Sequence, residues 1–148
     1  MTRRRTLGSL AVLAAVLAFL TRVPARADEK AEHAHEAHAK CAKACFDCAR
    51  ECSSCFHHCA HLVADGKKDH VKTMHLCNDC GAICATAGEL AGRAGPLAVT
   101  LCDACAKSCD TCGEACEKFP DDKHMATCAK ACRDCAKACR EMIKHAEH

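Results

Sequence analysis

The sequence predicts an all-α fold, an antiparallel up-down four-helix bundle with a cysteine-lined core. Three observations carry that reading. The chain holds 18 cysteines in 148 residues, with no Trp, no Tyr and four Phe. From Cys41 to Cys59 the cysteines are spaced 4, 3, 4, 3, 4, the alternation that places side chains on one face of an α-helix. The striped segments are separated only by short runs of Gly, Pro and Asp, and short connections favour antiparallel neighbours.

The elements follow in order. Residues 1–27 read as a signal peptide. Arg3-Arg4-Arg5 opens a basic n-region, Leu7 to Leu20 is apolar, and Val23-Pro24-Ala25-Arg26-Ala27 ends in an A-x-A cleavage pattern. The paired arginines suit the twin-arginine route. Residues 28–40, DEKAEHAHEAHAK, read as a flexible, polar arm carrying His33, His35 and His38. The bundle occupies 41–148. Its first helix carries Cys41, Cys45, Cys48, Cys52, Cys55 and Cys59 and stops near Asp65-Gly66. The second starts around Lys68 or Asp69, an N-cap candidate, carries Cys77, Cys80 and Cys84, and stops at Gly92–Gly95. The third begins near Pro96, a residue suited to a first helical position. It bears Cys102, Cys105, Cys109, Cys112 and Cys116, and Phe119-Pro120 ends it. The fourth starts around Asp121-Asp122 and bears Cys128, Cys132, Cys135 and Cys139. Every cysteine therefore lies on a helical seam. Ala, Lys, Asp, Glu and Arg fill the positions between, as good helix formers and a solvated outer face.

Large apolar residues are too few beyond residue 27 for an ordinary core of this size, and cysteine, a small hydrophobe when buried, supplies the missing volume. Residues 1–27 hold five Arg and no acid, so the remainder has 16 Lys+Arg against 19 Asp+Glu, a net charge of −3. That balance gives no charge-based reason to expect nucleic acid or, once the signal is removed, a membrane. Catalysis is not expected either: many equivalent cysteines in helix interiors offer no unique activated nucleophile and no shaped site of mixed chemistry.

The thiols leave several uses open. A disulfide-stapled structural bundle would suit an exported chain with an even cysteine count. However, neighbours three and four apart on one helix are poorly set for bridging and close trivially short loops. Zinc or another thiolate-bound metal is a second possibility, although Cys₄ sites normally gather discrete knuckles. Soft thiolates select Cu(I) among biological metals, and one Cu⁺ per thiolate leaves a neutral interior. Divalent ions at one per four sulfurs leave a costly negative excess. The residues therefore argue for a store of multiple Cu(I) ions, with all 18 cysteines as ligands.

The stretch CDACAKSCDTCGEACEKFP followed by CAKACRDCAKAC, on Ala-rich helices after an export signal, resembles the copper storage protein family, exported type. The resemblance spans about Cys41 to Cys139. It implies a bundle that takes up many Cu(I) ions, for supply to copper enzymes or chaperones or for detoxification. The signal segment implies a periplasmic or extracellular location, and the resemblance implies bundles that associate into homo-oligomers. Antiparallel packing gathers His57, His58, His61, His70, Met74, His75, His124 and Met125 at one end. We expect His58, His61, His70, Met74, His75, His124 and Met125 to be entry ligands, since His and Met hold Cu(I) without the charge of a thiolate, and the resemblance supports a His/Met mouth. The opposite end has His38, Met142 and His145, with Ala91 and Ala98 closing it.

Overall fold

The computed structural model describes residues 25–146, so the expected signal segment lies almost wholly outside the described residues. Four α-helices follow one another: α1 (Ala25–Ala64), α2 (Val71–Gly92), α3 (Ala98–Cys116) and α4 (Lys123–Ala146), with one turn of 3-10 helix at Lys68–His70 before α2. Residues 33–148 form one unit; residues 25–32 fall outside it and are described only as the first turns of α1.

The stretch expected as a flexible arm, 28–40, is helical throughout. It contains no Gly or Pro and consists mainly of Ala, Glu, Lys and His, so intrinsic propensity suffices where no apolar stripe is present. Glu36 and Lys40 pair one turn apart at 2.7 Å. His38 Nδ1 lies 3.2 Å from the Ala91 carbonyl oxygen, tying this stretch to the end of α2.

Two other boundaries shift. Asp69 does not cap α2. It sits inside the 3-10 turn, and the cap position falls to His70 with no side-chain hydrogen bond. Pro96 lies in a turn, and α3 starts at Ala98. At the start of α4, by contrast, Asp122 is an N-cap: its Oδ1 accepts from the amides of His124 (2.8 Å) and Met125 (3.3 Å).

Sulfur contacts fix the topology. Along α1 and α4 the close pairs are Cys41–Cys139, Cys45–Cys135, Cys48–Cys132 and Cys52–Cys128, at 3.7–3.9 Å. One number climbs as the other falls, so these helices are antiparallel. The same holds for α2 and α3, through Cys77–Cys112, Cys80–Cys109 and Cys84–Cys105 at 3.5–3.8 Å. Between α1 and α3 the pairs Cys41–Cys102 and Cys48–Cys109 both span 61 residues, so these two run parallel. The arrangement is up-down-up-down, with α1 and α3 on a diagonal. Diagonal helices touch only because the core side chain is as small as cysteine.

The α1–α2 wall is closed by small residues. A Cβ on Gly81 would lie 3.4 Å from Cys52 Cβ, one on Gly92 3.5 Å from Ala42 Cβ, and one on Gly88 3.0 Å from the Phe46 ring. Glycine is required at the last of these if Phe46 is to stay where it lies. Larger apolar side chains, among them Phe56, Leu76, Ile83, Leu101 and Ile143, pack partly buried around the sulfur column rather than within it.

Candidate metal-thiolate core and its ends

Every cysteine is buried, none more than 1% exposed, and all 18 are free thiols. The 3/4 spacing explains this directly. Each helix turns its cysteine stripe inward, while Lys, Asp and Glu face solvent in one-turn pairs such as Lys43–Asp47 (2.6 Å) and Lys107–Asp103 (2.7 Å). The outer surface therefore carries the charge, and the interior carries sulfur.

The sulfurs fall into groups of four whose atoms all lie within 4.8 Å of one another. One is Cys45, Cys105, Cys135 and Cys139; a second is Cys48, Cys80, Cys84 and Cys109; a third is Cys48, Cys52, Cys80 and Cys132. Further along come Cys52, Cys112, Cys128 and Cys132, then Cys55, Cys77, Cys116 and Cys128. These quartets overlap: Cys48, Cys52, Cys80, Cys128 and Cys132 each belong to two of them. Discrete Cys₄ knuckles do not share ligands in this way. A metal–thiolate bond of ~2.3 Å sets three sulfurs around one ion ~4 Å apart, and the sulfurs here already stand 3.4–4.0 Å from their neighbours. The arrangement can hold thiophilic ions at two- or three-sulfur positions, with each sulfur bridging.

Neighbouring thiols tune one another. Cys48 is brought down to about 7, first by hydrogen bonding with Cys109 and next by hydrogen bonding with Cys132. Cys59 is pushed up to about 12, first by burial and then by the charges of Cys55, Cys116 and Asp122. Position along the column does not set the direction, since the thiols around Cys52, in mid-column, push it up.

Methionines stand at both ends of the column. Met125 and Met142 are fully buried, and the Cys55 thiol donates to Met125 Sδ at 3.4 Å. At the Met142 end, Ala91 and Ala98 are also buried, His38 is held by Ala91, and His145 is exposed.

The Met125 end gathers some of the expected histidines and not others. His58 and His124 stack with ring centroids 4.6 Å apart. His58 Nε2 bonds Asp122 Oδ2 at 2.7 Å, and His124 Nε2 lies 3.0 Å from Ser54 Oγ. Burial alone would raise the Asp122 carboxyl, but hydrogen bonds from His58 and from the Met125 and His124 amides outweigh it and hold it below the usual carboxylate range. His70 is 9% exposed and stacks on Phe119 at 4.1 Å, and its buried Nδ1 has no hydrogen-bond partner. Met74 is half-buried against the core. His61 pairs with His57 on the exposed side of α1. His75 also faces solvent, one position from Met74.

Two residues of this end were not singled out from sequence. Asp122 was visible as a helix start, but its grip on His58 across 64 residues was not. Phe119, read only as part of a stop signal, is the platform under His70.

A family model described as copper storage protein (Csp) matches residues 34–144. Among solved structures, the Cu(I)-bound copper storage protein BsCsp3 is 35% identical, with a TM-score of 0.64, and the match covers 70% of this chain and 94% of that one. The apo form of copper storage protein 3 from Bacillus subtilis is 36% identical, with a TM-score of 0.61 and coverage of 70% and 96%. A copper storage protein from Streptomyces lividans, described as cytosolic and holding five coppers, is 29% identical, with a TM-score of 0.68 and coverage of 76% and 97%. No protein with a curated description matches the chain.

Proposed function

The chain belongs to the copper storage protein family, and from that premise we propose that it stores many Cu(I) ions in the thiolate-lined interior of its bundle. One observation carries the proposal. Four of the quartets named above form a chain of shared members, and Cys84 stands 3.5 Å from Cys105 of the remaining one, which suits many monovalent ions bridged by common thiolates and not a few separate divalent sites. All 18 cysteines, from Cys41 to Cys139, are proposed ligands. The stored ion is cargo, and no residue is assigned a catalytic role.

The test is an anaerobic titration of the reduced protein with Cu(I), counting bound ions per chain. About one ion per cysteine, on the order of 15–20, is expected, with release of protons as thiols of reference pKa ~8.5 ionise. Saturation near four or five ions, with zinc preferred in competition, would overturn the reading.

The Met125 end is the proposed entrance. His70, with a buried ring nitrogen left unpartnered, and Met125, in contact with Cys55, offer neutral ligands on the way to the sulfurs. His58, Met74 and His124 stand close by in sequence and structure, with His61 and His75 further out. Replacing His58, His70, Met74 and Met125 together by Ala should slow loading, or unloading to a strong chelator, with the final count nearly unchanged. Wild-type exchange rates in that variant would place the entrance elsewhere, first at the His38 and Met142 end.

Residues 1–27 support export, by the twin-arginine route, to the periplasm or beyond; the Streptomyces protein is described as cytosolic. Among the described residues no helix is long and apolar enough to cross a membrane. Copper enzymes or chaperones as recipients, and a homo-oligomeric state, belong to the same proposal.

A further inference from the structure

His57 and His61 are the only two histidines in the sequence spaced four apart. On a helix that spacing brings two side chains together on one ridge, and here their Nε2 atoms stand 3.1 Å apart with the rings edge to face, centroids 4.6 Å apart. Both residues are exposed. Among the described residues neither ring has another hydrogen-bond partner. The pair therefore lies outside the sulfur column and does not belong to the His58–Asp122–His124 group.

We propose that His57 and His61 form a two-imidazole site for a divalent ion of borderline softness, Zn²⁺ or Cu²⁺, on the outer face of α1. The geometry fits. Two nitrogens each ~2.0–2.1 Å from one ion lie about 3 Å apart when they occupy adjacent coordination positions, close to the separation already present. Imidazole suits zinc and copper(II), whereas the thiolate column selects Cu(I). The position fits as well. His61 lies in the last turn of α1, where the helix dipole places a partial negative charge that favours a cation. Water completes the coordination shell, so the ion is exchangeable. Binding takes the neutral form of both rings and replaces the N–H···N bond that otherwise joins them.

This inference does not rest on the storage reading, and the two fail separately. The full-length protein, loaded with Cu(I) so that its thiols are occupied, is titrated with Zn²⁺ by calorimetry. The Cu(I) count is taken independently beforehand. One equivalent of Zn²⁺ is expected. Both His57→Ala and His61→Ala should weaken it by at least about tenfold, the scale at which even an outer partner of a metal ligand is felt. His58→Ala should leave it unchanged. With Cu²⁺ as the probe, nitrogen hyperfine splitting in the EPR spectrum should count two imidazoles, and His61→Ala should reduce that to one. No bound equivalent, or one that survives His57→Ala or His61→Ala, would overturn the site and leave the pair as an imidazole–imidazole hydrogen bond. Circular dichroism and the Cu(I) count show that the variants are folded, since both positions face solvent.

Discussion

Ala94 holds the left-handed backbone position after α2, at φ 48°, and Gly66 holds the corresponding position after α1, at φ 86°. Both helices end in the same way. The Gly95 amide reaches back to Leu90 O at 2.9 Å, and the Lys67 amide to Leu62 O at 2.9 Å, the closing bond of a Schellman motif. A left-handed conformation costs a residue with a Cβ roughly 1–2 kcal/mol. Replacing Ala94 by Gly should therefore stabilise the bundle by about 1 kcal/mol, less a few tenths for the freedom glycine has in the unfolded chain. Urea unfolding of the reduced apo-protein measures the change, and a destabilised variant would contradict it. The sequence shows a helix stop between Gly92 and Gly95, but not which residue takes the left-handed position. That choice depends on which carbonyls the turn must reach, and two nearby glycines conceal it.

At the level of elements, the cysteine stripes were legible because a spacing of 3 and 4 has one structural meaning, whatever the side chain. The N-terminal part of α1 was not. Its residues show no apolar face, so no amphipathic pattern marks them; helix propensity and the Glu36–Lys40 pair shape that stretch instead. The cross-helix register was also hidden, since any rotation of four striped helices keeps sulfur inside. Only contacts reveal that Cys132 serves two quartets, one with Cys48, Cys52 and Cys80 and another with Cys52, Cys112 and Cys128. Replacing Cys132 and Cys135 with Ser should therefore lower the saturating Cu(I) count by at least about two ions, because a hydroxyl is a poor ligand for a soft cation. An unchanged count would mean that these mid-column sulfurs are spare.

For the whole molecule, the sequence indicated that most of the bundle's histidines gather at one end with Met74 and Met125, because antiparallel packing of four segments leaves no other arrangement. It did not show that His58 closes on Asp122 while His57 and His61 turn outward, since those choices depend on helix rotation. The fold itself rests on side chains that are present before any ion arrives, so the reduced apo-protein should be helical by circular dichroism at neutral pH and gain thermal stability on loading. Its alkaline limit follows from the buried thiols. In the unfolded chain a cysteine ionises near ~8.5, whereas Cys59 keeps its proton up to about 12. Between those values the unfolded state binds fewer protons than the folded one, so stability is intact below the lower value and falls as pH rises toward the higher. Apo-protein melting followed by circular dichroism should show Tm falling across that window. A random-coil apo spectrum would instead mean that metal supplies the folding energy, as in a zinc finger.

The shared sulfurs also bear on motion. Because four of the quartets are linked by shared cysteines, and Cys84 stands 3.5 Å from Cys105 of the remaining one, an ion leaving one can take a ligand of the next before it releases its last ligand of the first. The column is thus a staircase as well as a container. Between Cys55, beside Met125, and Cys41 successive sulfurs stand within 4.8 Å of one another, so no step takes a bare cation across an apolar gap. A bundle with the same number of thiols in isolated sets would hold as much and fill only at its outermost set.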